Sequence, residues 1–163
     1  MKNFLLNIFI LAVSLTVVIY LYQTYKADMY RYFLGEEKLG IFVRDVPVTV
    51  SVADTEEKRA KGLSGVEKMP DREGKLFVFE KAGRYGFWMK DMFFSLDILW
   101  INDNGYITHI EKNVKPDSYP TVYSSPDEAK YVLELNAFFT DTFSIAVGDK
   151  VTLPPSVTGQ SLQ

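Results

Sequence analysis

Apolar positions along the chain form one long unbroken run followed by many short ones. Residues 4–22, FLLNIFILAVSLTVVIYLY, carry no charge and few polar groups, and a helix needs about 20 such residues to cross a bilayer. Beyond them the runs shorten and begin to alternate. VPVTVSV at Val46–Val52, SLDILWI at Ser95–Ile101, YITHIEKNV at Tyr106–Val114, YVLEL at Tyr131–Leu135 and VGDKVTL at Val147–Leu153 have the length and β-branched content of strands. LFVF at Leu76–Phe79 is wholly apolar and predicts a central strand. Pro47 cannot donate to a ladder, which puts it on an edge or at the start of its strand. Asn102-Asp103-Asn104-Gly105 predicts a hairpin turn, because Asn104 and Gly105 both tolerate positive φ.

One short helix is legible between these strands. Asp54 reads as its cap and Glu56 and Glu57 suit its positive start. Lys58, Arg59 and Lys61 suit its negative end, and Gly62 stops it. A further helical turn is predicted over Ala137–Ser144. The expected fold is a mainly β, compact barrel- or sandwich-like domain with one or two short helices (α+β), preceded by a single N-terminal transmembrane helix.

The organisation that follows is an anchor over residues 1–22, a tether over 23–44, a β-rich domain over 45–153 and a disordered tail over 154–163. An uncleaved anchor is favoured over a cleaved signal. The apolar run is too long for a signal core, and no small-x-small pattern lies near its end. Tyr22, Tyr25, Tyr30 and Tyr32 suit a membrane interface. Lys2 on one side and Lys26 and Arg31 on the other nearly balance, so orientation rests on the habit of such anchors to export their C-terminal domain. An extracytoplasmic domain, periplasmic or on the outer face of the cytoplasmic membrane, is expected.

Composition removes several chemistries. The chain of 163 residues has a formal charge of -3 and no basic stripe, which gives no reason to expect nucleic acid. It has no Cys, which excludes disulfides, thiolate nucleophiles and Cys-based zinc, and its one His, His109, excludes a multi-histidine metal site. No phosphate-cradling glycine loop and no glycine-flanked serine elbow occurs. No cofactor is expected. Aromatic residues make up 15%, which suits a well-filled β core.

Several motifs follow one another at compatible spacing: Val50–Leu63, Gly74–Phe79, Phe87–Lys90, Leu96–Ile98, Tyr131–Ala137 and Val147–Val151. Together they resemble the family called domain of unknown function 192, over residues 46–153. The resemblance implies a compact β-rich domain, often behind a signal or anchor, and supplies no reaction. It also implies Gly after Ala137, where this chain has Phe138.

The candidate site residues are Arg59, Trp88, Lys90, Asp97 and Glu134. Strand alternation would put Trp88 and Lys90 on one face. Lys90 and Asp97 are charges in an apolar run, and each is a candidate partner for the other. Read structurally, these charges form a paired network that fixes register. Read functionally, they line a polar cleft with Trp88 as a stacking platform for a carbohydrate or envelope ligand. Three functions follow: a non-catalytic binding module, an envelope glycoside-type hydrolase using Asp97 and Glu134, and a purely structural module. The hydrolase needs its carboxylates roughly 5–10 Å apart on one side of the sheet. The proline-rich connection Asn113–Glu128, with Tyr119 and Tyr123, is either a ligand-stacking loop or a cover over a barrel end. His109 reads as an ordinary strand residue.

Overall fold

The computed structural model describes residues 13–23 and 38–159. Residues 13–23 are helical, with exposed apolar side chains from Val13 to Tyr22. The rest of the span expected over residues 4–22, and most of the tether, lie outside the described residues. Among the described residues no helix is long and apolar enough to cross a membrane.

The domain is mainly β. Nine strands are described: β1 Lys38–Val43, β2 Val46–Ala53, β3 Glu73–Gly83, β4 Gly86–Phe87, β5 Leu96–Ile101, β6 Ile107–Val114, β7 Tyr123–Ser124, β8 Ala129–Asn136 and β9 Val151–Thr152. Seven of them form one curled sheet in the order β6-β5-β8-β3-β2-β1-β9, and β4 pairs with β7 in a separate ribbon. Only β2 and β3 are parallel neighbours. A parallel pair needs a crossover, and the helix Glu56–Lys61 lies within it.

The two ends of the sheet meet at one corner. Val151 N–H donates to the Gly105 carbonyl, Ile107 N–H to Asp149 and Gly148 N–H to Ile107. This curl separates two apolar layers. Ile41, Val48, Leu76, Leu99, Ile101, Tyr131, Leu133 and Leu135 fill one. Phe77, Met89, Leu96, Ile98, Trp100 and Val132 fill the other. Adjacent residues of β5 and β8 alternate between layers, as a pleated strand buried on both sides requires.

Several details depart from expectation. Lys38–Val43, read as the end of the tether, is a strand whose full length pairs with β2. Pro47 therefore lies in an interior strand, not on an edge, but at the start of it, as the second residue of β2. It faces only β1, since pairing with β3 begins at Thr49. Thr55 rather than Asp54 caps the helix, accepting Lys58 N–H at 3.2 Å, while Asp54 pairs with the Lys58 ammonium at 2.7 Å. In the hairpin only Gly105 has positive φ, and Asn102 Oδ1 closes the turn on Tyr106 N–H. Pro155–Thr158 is a helical turn where a disordered tail was expected, and residues 160–163 lie outside the described residues.

Candidate functional site

The crossover from β2 to β3 lays the helix Glu56–Lys61 and the loop behind it over the second apolar layer. A cavity of about 290 Å³ opens there. Leu63 and Ser64 line it from the loop, Phe77 and Phe79 from β3, Tyr85 to Trp88 from around β4, and Glu134 from β8. The walls are aromatic. Phe79 and Tyr85 stack at 3.5 Å between centroids, and Phe77 meets Phe87 edge-on at 4.8 Å. Trp88 is 54% exposed and forms part of the rim, with the Tyr119 ring edge-on to it at 6.3 Å.

Glu134 is the buried acid of this cavity. It is 5% exposed, and its Oε2 has no hydrogen-bond partner among the described residues. Burial pushes its carboxyl up to about 8, against the pull of the Lys75 ammonium. Lys75 lies opposite it in the β3–β8 ladder and is also fully buried. Removal from water disfavours the charged form more than one cation restores it. Gly74 makes this close approach possible, since a Cβ there would stand 2.7 Å from the Glu134 carbonyl oxygen.

Arg59 forms part of the wall. Its Nη1 donates to the Asp54 carbonyl at 2.8 Å and to the Val78 carbonyl at 2.9 Å. Val78 is the last regular pairing of β3 before its register shifts, so the guanidinium takes up a carbonyl at that irregularity. Its carbon also lies 5.2 Å from the centre of the Phe79 ring.

Of the five candidate residues, Arg59, Trp88 and Glu134 meet at the cavity. The other two do not join them. Lys90 is exposed in a turn beyond β4 rather than in a strand, and among the described residues only its carbonyl is engaged, by the Ser64 hydroxyl at 2.9 Å. It is no partner for Asp97. Asp97 is fully buried on the opposite side of the sheet from Glu134: its register partner is Leu135, while Ile98 faces Glu134.

All the bonds to Asp97 are internal. Oδ1 accepts Asn113 N–H at 2.9 Å and Phe138 N–H at 3.3 Å, and Oδ2 accepts Thr140 N–H at 2.9 Å and its hydroxyl at 2.7 Å. Asp97 thereby caps the turn Phe139–Thr142, whose own N-cap residue Phe138 offers no side-chain bond. Two carboxyls separated by a sheet cannot act on one glycosidic bond, and the paired-carboxylate hydrolase is removed. His109 is the strand residue expected, 3.0 Å from Glu111 on β6.

Lys75, Phe77, Phe79 and Tyr85 were not singled out from sequence. The signal for three of them was present in G-K-L-F-V-F, where alternation puts Lys75, Phe77 and Phe79 on one face.

Residues 41–153 match the family described as Uncharacterized ACR, domain of unknown function 192 (DUF192). The chain belongs to the DUF192 family. Two solved structures share the fold. A candidate transcription regulator from Sinorhizobium meliloti 1021 is 30% identical, with a TM-score of 0.69 over 71% of this chain and 93% of that one. A protein of unknown function from Novosphingobium aromaticivorans is 25% identical, with a TM-score of 0.68 over 73% of this chain and 87% of that one. No curated protein matches the chain. The left-handed Phe138, at φ 69°, stands where the family resemblance implied glycine.

Proposed function

We propose that this DUF192 protein is a membrane-anchored, extracytoplasmic module of the cell envelope that binds a small ligand without catalysis. Ligand binding rests above all on Glu134. A buried carboxyl oxygen without a partner among the described residues, on a side chain lining an aromatic-walled cavity, is costly unless a guest or water satisfies it. The anchor rests on the apolar run of residues 4–22. Absence of catalysis is supported by the use of Asp97 as an internal cap. The name of the Sinorhizobium neighbour suggests no DNA contact here, since this chain has a charge of -3 and phosphate binding draws on clustered Lys and Arg.

A fragment screen by NMR on the full chain tests the site. Fragments are expected to shift the Trp88 indole signal and the Phe79 and Phe87 rings, with signals around Asp103 and Lys150 unmoved. Shifts confined to other surfaces would refute it. A chito-oligosaccharide is the second reading, favoured by the half-exposed Trp88 beside Tyr119; it would move those two rings and leave the cavity walls unchanged.

Because the sequence has no Cys, a single cysteine placed at Ser156 reports on orientation. An impermeant maleimide is expected to label it in intact cells or, behind an outer membrane, once that membrane is opened. Labelling only after the cytoplasmic membrane is broken would overturn the extracytoplasmic placement.

A further inference from the structure

We propose that the cavity beneath Trp88 selects a small planar monoanion, an aromatic or conjugated carboxylate. This deepens the reading of the cavity as a ligand site and rests on it.

Shape gives the first argument. The walls are rings, Phe77, Phe79, Tyr85 and Phe87, and the space of about 290 Å³ lies at the small end of ligand pockets. A flat conjugated body of one or two rings matches such walls.

Charge gives the second. The ionisable groups around Glu134 are Lys75 from β3, Glu56, Arg59 and Lys61 from the crossover helix, and Tyr85 before β4. With Glu134 neutral, the lining sets Arg59 and Lys61 against the single carboxylate of Glu56, so the cavity is locally positive in a chain whose formal charge is -3. Among the described residues Arg59 spends only Nη1 on hydrogen bonds, which leaves its Nη2 and Nε edge to face a carboxylate. A cationic guest would meet Arg59 and Lys61.

Glu134 completes the site as a donor. With the carboxyl neutral, its O–H can donate a hydrogen bond to the guest oxygen, and no covalent bond is made or broken. Ionisation turns the donor into a repelling charge. Burial sets that change near pH 8, so the neutral fraction, and with it affinity, falls about tenfold between pH 7 and pH 9.

The test uses the full chain and three flat probes of equal size: benzoate, benzamide and benzamidine. Calorimetry gives affinity, and the Trp88 indole signal gives location. The buried Trp100 indole, bonded to the Tyr85 carbonyl at 3.0 Å, reports that the fold persists. Benzoate is expected to bind most tightly, at least tenfold better than benzamidine, and to weaken about tenfold from pH 7 to pH 9 as Glu134 ionises. Glu134→Gln should lose the pH dependence of benzoate binding. If benzamide or benzamidine binds best while Trp88 shifts, the anion preference is wrong and the cavity remains a ligand site. If no probe shifts Trp88, the anion class and the cavity reading both fall. If benzoate affinity in the native protein is flat across pH 7–9, Glu134 is not the donor and the proposal is overturned without recourse to any variant.

Discussion

Glu134→Gln decides which of two forces governs the buried centre of the domain. The native carboxyl is 5% exposed and is held near 8 by burial, against an ordinary value of 4.5. Between those values the folded protein keeps a proton that the unfolded chain has released. Stability therefore falls as pH rises through this window: it is greatest below about 4.5 and levels off above about 8. Gln keeps the shape and removes the titration. One pH unit corresponds to about 1.4 kcal/mol, so the stability of the variant relative to the native protein should rise by roughly 3 kcal/mol between pH 5 and pH 7.5.

Urea unfolding of both proteins across pH 5–9 reads this directly, and taking the difference cancels groups that titrate alike in both. A constant offset from the amide is expected and carries no information; the slope does. A difference that stays flat would mean that the Lys75 ammonium offsets the loss of hydration and keeps Glu134 ionised throughout. The cavity floor would then be an ion pair, and the reasoning from desolvation would be refuted.

Other substitutions probe the frame around the cavity. Gly74→Ala puts a methyl 2.7 Å from the Glu134 carbonyl and 2.8 Å from Leu135 Cδ2, and overpacking of this kind costs about 1–3 kcal/mol. Gly86→Ala meets Cγ1 of the exposed Val122 side chain at 2.6 Å, which can turn aside, and reaches backbone only at 3.9 Å, so it should lower the denaturation midpoint less; equal losses would contradict this account of Gly74. Asp97→Asn replaces one acceptor oxygen with a donor facing the Thr140 N–H and hydroxyl, and each orphaned buried group costs about 1–3 kcal/mol. A thermal melt unchanged from native would show that Asp97 is no cap. Phe138 is 58% exposed and left-handed, a conformation that costs a side chain about 1–2 kcal/mol and glycine little. Phe138→Gly should stabilise the domain by up to about 1 kcal/mol in urea, once the greater freedom of glycine in the unfolded chain is subtracted.

What the sequence reveals here is the face a residue takes, far more than the partner it meets. Period-two alternation places β5, β6 and β8 within a few residues of where they lie. It also puts Trp88 and Lys90 on one face; both are exposed while Met89 between them is buried, although β4 ends at Phe87 and Lys90 enters a turn followed by Asp91 at φ 56°. β1 was hidden because KLGIFV follows directly on a charged stretch, and its burial alternates only once β2 folds back on it.

Asp97 and Glu134 show the limit most clearly. Each is an acid between two apolar residues of a strand, and locally they are indistinguishable. Their fates diverge through register with distant segments. Ile98 rather than Asp97 faces Glu134, which sends the two acids to opposite layers. On one side the Phe138–Thr140 turn presents three donors to Asp97. On the other, β3 presents Lys75 and an aromatic wall, and one oxygen of Glu134, beside a cavity, is left without a hydrogen-bond partner among the described residues. A strand pattern contains no information about its neighbour sixty residues away. The difference between a structural acid and a candidate binding acid arises from that pairing.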